Sequence, residues 1–455
     1  MSKQVLSSLL RIYRTRLSRY LIFRLMRFWM EVSYRFSYRL LSFLISPFPK
    51  NRHILVNFSC FSGFNLKSRS SFAPAESIEI PAPRFINSRP SIQTGRFSSL
   101  KIEMAKLEIV EIRDATVVGG TDFVLSGESA IWPDAFVSSR DTCPAEIFGI
   151  VSINRRKNMM RLHLTRKARK FNRAIMLMGQ STTNYAHWLT ETLPKLVALN
   201  SYPEFDHLPL LVDNGLHRNI YESIAILNSK QRDVVLVKQW EPAILNEIVC
   251  VSQPAYEPYV PQGLFNKGLS PTISAFSRFA LNRLREAATQ AIRESGQLGA
   301  ELVYFRRNGR SGNLRGIVNS DAVEEYVRAA GFELIAPASL GFMQQVAACS
   351  RAKIIVAPVG AALANMIFAP KGCKILTLAP YYLGANYYYY SNLAGVLGHE
   401  LHYILGQQID KGEHPMHRRY SIDLSDLKVA IESLSGAVES RRADHNFRDY
   451  RELQC

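Results

Sequence analysis

The 455-residue chain has no uninterrupted apolar run of the roughly 18–20 residues that a membrane-spanning helix needs. Between Arg11 and Arg39, arginines break the apolar residues every few positions, as in Tyr20-Leu-Ile-Phe-Arg24-Leu-Met-Arg27-Phe-Trp29. The uncharged stretches nearby, Leu40 to Pro49 and His53 to Leu66, are short and carry Pro, Ser, Asn or Gly. The same arginines spoil the apolar core that a cleavable signal requires. The six cysteines (Cys60, Cys143, Cys250, Cys349, Cys373 and Cys455) show no CxxC and no Cys/His ligand spacing. That argues against a zinc site and a disulfide framework and for free thiols in a reducing compartment. There is no GxGxxG and no Walker A loop, so neither dinucleotide nor P-loop binding is indicated. No self-similarity at a period of 20–50 residues appears, which sets a solenoid aside.

Acidic residues are nearly missing from the start of the chain. Residues 1–100 hold 16 Lys/Arg against 3 Glu, so a net +13 of the total +18 lies there. Two readings of residues 1–66 stand side by side: a basic, aromatic-rich amphipathic leader lying on an anionic membrane surface, or a poorly ordered tail. The first places the protein in the cytoplasm, peripheral to the inner face of the plasma membrane. Residues 67–99, rich in Ser, Pro and Arg, read as a linker.

With 47% hydrophobic and 21% charged residues, the rest of the chain can bury a large core. From Lys101 to Phe148, Val/Ile pairs alternate with turn signals such as Gly119-Gly120, which predicts a set of short strands. From Ala174 the rhythm becomes strand then helix: Ala174–Gly179, Asn184–Asn200, Leu208–Asp213, His217–Asn228 and Asp233–Lys238. A long helix is predicted over Pro271–Arg293. A second alternation follows: Glu301–Phe305, Asp321–Ala330, Phe332–Ala336, Phe342–Arg351, Lys353–Ala357, Ala361–Phe368 and Lys374–Leu378. The fold class is therefore α/β, with two parallel-sheet units separated by a cleft and a small β-rich segment before them. The division is an N-terminal domain at 100–270, a C-terminal domain at 271–410 and a helical tail at 411–455.

Three constellations carry candidate chemistry. In Asn184-Tyr-Ala-His187-Trp188-Leu-Thr-Glu191-Thr-Leu-Pro-Lys195, a helical wheel puts Asn184, His187, Trp188, Glu191 and Lys195 on one face. His187 and Glu191, one turn apart, suit a general base and its orienting carboxylate; an outward Trp188 would stack a ligand. A solvated face with an i,i+4 pair is the plain alternative. Arg306, Arg307 and Arg310, just after the first strand of the second unit, suit phosphate binding, although basic loops are commonly only solvated. Ala357-Pro-Val-Gly360-Ala-Ala-Leu-Ala-Asn365 offers small residues and a helix N-terminus to an anion, or is simply a tight packing turn. A further basic run, Arg155 to Arg173, holds nine Lys/Arg and no acid, and nearly lacks the aromatics needed to stack bases.

Taken together, the Asn184–Lys195 motif and the stretch from Tyr304-Phe-Arg-Arg to Val359-Gly-Ala-Ala-Leu-Ala-Asn365, with Gly398-His-Glu-Leu-His-Tyr403 behind them, resemble glycosyltransferase family 61, of the bacterial capsular polysaccharide biosynthesis type. The resemblance covers roughly residues 100–410. It implies a GT-B-like architecture with two Rossmann-like units facing across a cleft. It also implies inverting transfer of a sugar, a hexose or a pentose, from a nucleotide-diphosphate donor to a glycan acceptor. His187 or Glu191 would act as base, with Glu191 orienting His187. Arg306, Arg307, Arg310, Gly360 and Asn365 would bind donor in the second unit, while Asn184 and Trp188 meet acceptor in the first. No cofactor is implied beyond the nucleotide-sugar co-substrate, and no metal, since no convincing Asp-x-Asp motif is present. One departure is Val359, where the family usually has His: the histidine's role is dispensable, or Arg306 or Arg310 covers it, or activity is lost. An inactive glycan-assembly partner and a basic nucleic-acid-binding protein are the alternative readings.

Overall fold

The computed structural model describes residues 52–86, 97–137, 141–163, 167–257, 274–296, 299–307, 315–382, 385, 387–410 and 415–436. The Arg11–Arg39 leader segment, Arg310 and Cys455 lie outside the described residues. Two sheets carry the molecule, and each has a parallel core.

The first sheet has eleven strands. Four of them, in the order Val234–Val237, Leu210–Asp213, Arg169–Leu177 and Pro242–Val251, run parallel. Leu210–Asp213 and the last four residues of Arg169–Leu177 are buried, as a sheet covered on both faces requires, whereas Val234 and Leu236 of the edge strand are exposed. Chain order reverses between Arg169–Leu177 and Pro242–Val251, which makes a topological switch point at their carboxyl ends. Beyond Pro242–Val251 the sheet continues antiparallel through Leu107–Val118, Val124–Ser126 and Ser129–Trp132. Leu107–Val118 is a single twelve-residue strand rather than one of several short ones. It ends at Gly119, where a Cβ would sit 2.2 Å from the Lys238 carbonyl oxygen, so only glycine permits the approach.

The leader and linker readings need correction where strands were not foreseen. Arg52–Asn57 lies inside the first sheet between Ser129–Trp132 and Met159–Leu162. Leu66–Ala73 pairs with Leu107–Val118, Glu76–Ile80 with Leu100–Met104, and Arg84–Phe85 joins the second sheet beside Glu400–Gln408. Pairing with distant strands, and not local apolar content, gives these polar segments their structure.

The second sheet follows the order Glu333–Ile335, Leu302–Phe305, Ile354–Pro358, Lys374–Pro380 and Glu400–Gln408, all parallel. In chain order this is 2-1-3-4-5, whose switch point falls between Leu302–Phe305 and Ile354–Pro358. The C-terminal tail is not separate: Tyr420–Ser421 pairs with Glu400–Gln408, and the 424–436 helix packs Leu427, Ala430, Ile431 and Leu434 into this unit. The bridging helix is Arg278–Ser295, shorter at its start than expected. Ser277 Oγ caps it by accepting from Ala280 N–H, and Ala275–Phe276 ahead of it pairs with Ala255–Tyr256.

The units do not face each other across an open cleft over their length. One apolar cluster runs from Ile175 and Trp188 through Leu281 and Leu284 to Val346, Ile355 and Leu363. Tyr185 donates to Asn365 Oδ1 at 3.0 Å, and Asn219 donates to the Leu340 carbonyl at 2.9 Å. Both sets of carboxyl strand ends therefore meet across a packed junction. No helix among the described residues is long and apolar enough to cross a membrane.

Candidate functional site

The helix from Tyr185 to Leu199 starts at the carboxyl end of Arg169–Leu177. Asn184 caps it by accepting from Ala186 N–H at 3.0 Å. Between Trp188 and Thr192 the helix opens into a π turn, with Leu193 N–H donating to the Trp188 carbonyl. Such turns are costly and concentrate at functional sites. The extra residue disturbs the regular wheel, and the sheet, the helix Arg218–Leu227 and the second unit bury the helix nearly all round.

Trp188 is accordingly not an outward stacking platform. It is fully buried, and its indole Nε1 donates to Ser223 Oγ at 2.9 Å. Trp188→Ala is expected to cost about 3 kcal/mol or more of stability through the cavity and the lost partner, read as a lowered urea midpoint. Asn184 serves as a cap. Asn365 is also fully buried: it accepts from Tyr185 and donates to Gln345 Oε1 at 2.8 Å, so it ties the units together and offers nothing to a donor.

His187 and Glu191 meet as expected. His187 Nδ1 lies 2.6 Å from Glu191 Oε1, which assigns the ring proton to Nδ1. His187 Nε2 makes no hydrogen bond among the described residues, and the side chain keeps 19% exposure. Burial disfavours the charged imidazolium, but Glu191, supported by Glu257 and Asp122, outweighs it and raises the pKa above the ordinary value. Glu257, only partly exposed, takes a hydrogen bond from Ser274 Oγ, and burial pushes its carboxyl up to about 7. Behind them Asp122 is raised to about 7 by burial, against the opposing charge of Lys195. Lys195 itself is held below the usual ammonium range by burial.

The second cluster stands at the switch point of the other sheet. Arg307, two residues past Leu302–Phe305, donates Nη1 to the Val359 carbonyl at 3.1 Å. Arg315 lies close enough to add to the burial that lowers Arg307's pKa. Among the described residues its own Nε is buried without a hydrogen-bond partner. Tyr390 OH donates to the Gly360 carbonyl at 2.7 Å, and the charges of both arginines reach Tyr390 and Tyr420. Two electrostatically coupled guanidinium groups, one with an orphan donor, have the chemistry to hold an anion with several acceptor oxygens.

Arg306 points elsewhere. It pairs with Glu324 on the helix Ser320–Ala329 at 2.8 Å and is about half exposed. Within the Arg155 to Arg173 run, Arg155 pairs with Glu146 and Arg173 with Glu111 and Glu247.

Tyrosines join the two clusters. The Tyr389 ring is 5.8 Å from the His187 ring and 4.8 Å from the Tyr390 ring. Glu257, Arg315 and these tyrosines escaped the sequence reading. For Arg315 the signal was a second arginine between Gly312 and Gly316 in the same loop. For Glu257 it was a carboxylate within Tyr256-Glu-Pro-Tyr259. No group of three or more His, Cys, Asp or Glu among the described residues could hold a metal ion, and the five described cysteines are free.

Residues 185–376 match the family model described as Glycosyltransferase 61. The matched span is thus similar to that family and includes His187, Glu191, Glu257, Arg307, Arg315 and Gly360. Tyr389, Tyr390 and Tyr420 lie beyond it. No curated protein matches the chain.

Proposed function

We propose that the chain is a glycosyltransferase that moves a sugar from a nucleotide-diphosphate donor to a glycan hydroxyl with inversion, in polysaccharide biosynthesis. The observation that carries this reading is the pairing of a base with an open Nε2 and an anion site built on two arginines, linked by Tyr389 and Tyr390. The similarity of residues 185–376 to glycosyltransferase family 61 supports it.

In the proposed reaction the acceptor hydroxyl gives its proton to His187 Nε2. Its oxygen then forms a bond to the anomeric carbon, while the bond from that carbon to the donor phosphate oxygen breaks. The departing diphosphate gains negative charge, which Arg307 and Arg315 stabilise from positions fixed before reaction. Glu191 keeps the imidazole oriented and offsets the positive charge it acquires. Val359 presents its backbone carbonyl to Arg307, so a guanidinium stands beside the position where the family usually has histidine.

The test is a thermal-shift screen of the purified protein against nucleotide sugars, followed by donor hydrolysis and transfer assays. A donor at a hundred times its Kd should stabilise the protein by about 2.7 kcal/mol. Failure of every nucleotide diphosphate sugar to shift the transition would overturn the reading.

We further propose that residues 1–51, with ten Lys/Arg and one Glu, tether the protein to an anionic membrane face. Removing residues 1–51 should move the protein to the soluble fraction and leave transfer intact. Removing 1–70 should instead give misfolded protein, because Arg52–Asn57 is an interior strand.

A further inference from the structure

The His187–Glu191 pair continues into a longer chain of contacts. Glu191 uses Oε1 for His187 Nδ1, and its other oxygen, Oε2, lies 3.5 Å from Gln253 Nε2. Gln253 Oε1 in turn accepts from Lys195 Nζ. The two contacts fix which way the amide points, since an ammonium can only donate and a carboxylate can only accept. Lys195 is buried, one turn after Glu191, and Gln253 lies just past the strand Pro242–Val251 at the first unit's switch point. The chain crosses the π turn, where loss of the regular ladder would otherwise leave Glu191 freer to change rotamer.

We propose that Gln253 and Lys195 are positioning residues that hold the Glu191 carboxylate against His187 Nδ1 and so keep the imidazole in the tautomer with Nε2 unprotonated. The contribution to turnover rests on His187 being the base; the effect on the ring does not. The titratable groups facing the His187–Glu191 pair are Lys195 from its own helix, Glu257 from beyond Ala255–Tyr256, Asp122 from the loop after Leu107–Val118, and Tyr389 from the second unit. Lys195 is the one cation among them, and it reaches Glu191 through Gln253.

Two substitutions separate positioning from mere packing. Gln253→Leu keeps the bulk and removes both polar contacts, so Glu191 is no longer held and the His187 midpoint should fall. Gln253→Glu keeps the shape and the Lys195 contact and adds a negative charge beside Glu191, so the midpoint should rise. The probe is ¹⁵N-histidine labelling of the full chain, with the His187 signals assigned from the loss seen in His187→Asn. Shifts of about 0.5 pH unit in opposite directions are expected. In Gln253→Leu, kcat should also drop about tenfold with KM unchanged, as for a misaligned base. Unchanged His187 titration and tautomer in Gln253→Leu, or a rise of the midpoint there, would overturn the proposal, and the rise in Gln253→Glu shows that the ring senses charge at this position. If the leucine variant is unstable, Gln253→Met, which also lacks both polar contacts, carries the test in its place. Should His187→Ala retain turnover, the base assignment fails while the titration still judges the positioning role.

Discussion

His187→Ala is expected to lower kcat by about 10²–10⁴-fold, the range that a positioned general base supplies. Among the described residues the imidazole combines an open ring nitrogen with residual exposure, which on the proposed role places it to take the acceptor proton. Its removal should leave the fold intact, because the surrounding packing comes from Trp188, Leu189 and Phe276, not from the histidine. Rate and unfolding midpoint measured on one preparation decide the matter: turnover within a few-fold of wild type would rule out the role. The pH dependence follows from the same environment. The neutral ring is the active form, and Glu191, Glu257 and Asp122 raise its pKa above the ordinary 6.5. The acid limb of kcat/KM should therefore have a midpoint above 6.5, with activity present above it and lost as pH falls through it. Glu191→Gln removes the dominant partner and should move that midpoint down while lowering the rate.

The second large effect belongs to the arginines. Each hydrogen bond to a charged group is worth about 1.5–3 kcal/mol, so Arg307→Met and Arg315→Met should each weaken nucleotide-diphosphate binding roughly 10–100-fold. The double variant should fall short of the product, because removing one guanidinium also relieves the repulsion felt by the other. Calorimetric titration with a nucleoside diphosphate checks this, and affinity within twofold of wild type in the double variant would exclude the site. Arg306→Met provides the contrast. That side chain is committed to Glu324 outside the cluster, and the nucleotide affinity of the variant should stay close to wild type. Tyr420 adds a further link: Tyr420 N–H donates to the Gly316 carbonyl and its own carbonyl accepts from Val318 N–H, so the loop carrying Arg315 is pinned by the C-terminal segment.

What was legible in the sequence was local. Val/Ile/Leu runs alternating with amphipathic helices marked most parallel strands of both units to within a few residues, because a covered sheet favours unbroken apolar strands; Pro242–Val251 and Glu400–Gln408, also parallel, were not among them. The His187–Glu191 pair was legible for the same reason, being four residues apart on one helix. Across Leu66–Ala73 and Glu76–Ile80 the Ser, Pro and Arg of residues 67–99 point by composition to a linker. Partners more than twenty residues away in sequence make them strands.

Trp188 shows where local periodicity misleads. A wheel drawn at 100° per residue assumes a regular helix with one wet face, whereas a π turn and contacts on several sides remove both assumptions. Asn365 is buried for a related reason: its place within the Ala361–Phe368 segment was visible, but Tyr185 and Gln345, which occupy its amide, come from other elements.

The sequence by itself determined the two α/β units, the His187–Glu191 pair, and the presence of arginines at a strand's carboxyl end. Only the tertiary structure decided that Arg315 rather than Arg306 joins Arg307, that Gln253 and Glu257 stand beside the pair on Glu191, and that Trp188 and Asn365 are structural. The physical reason is separation along the chain. Contacts within one or two helical turns follow from backbone geometry, while those between Glu191 and Gln253, or between Gly316 and Tyr420, exist only once the sheets have set their strand order and packed against each other.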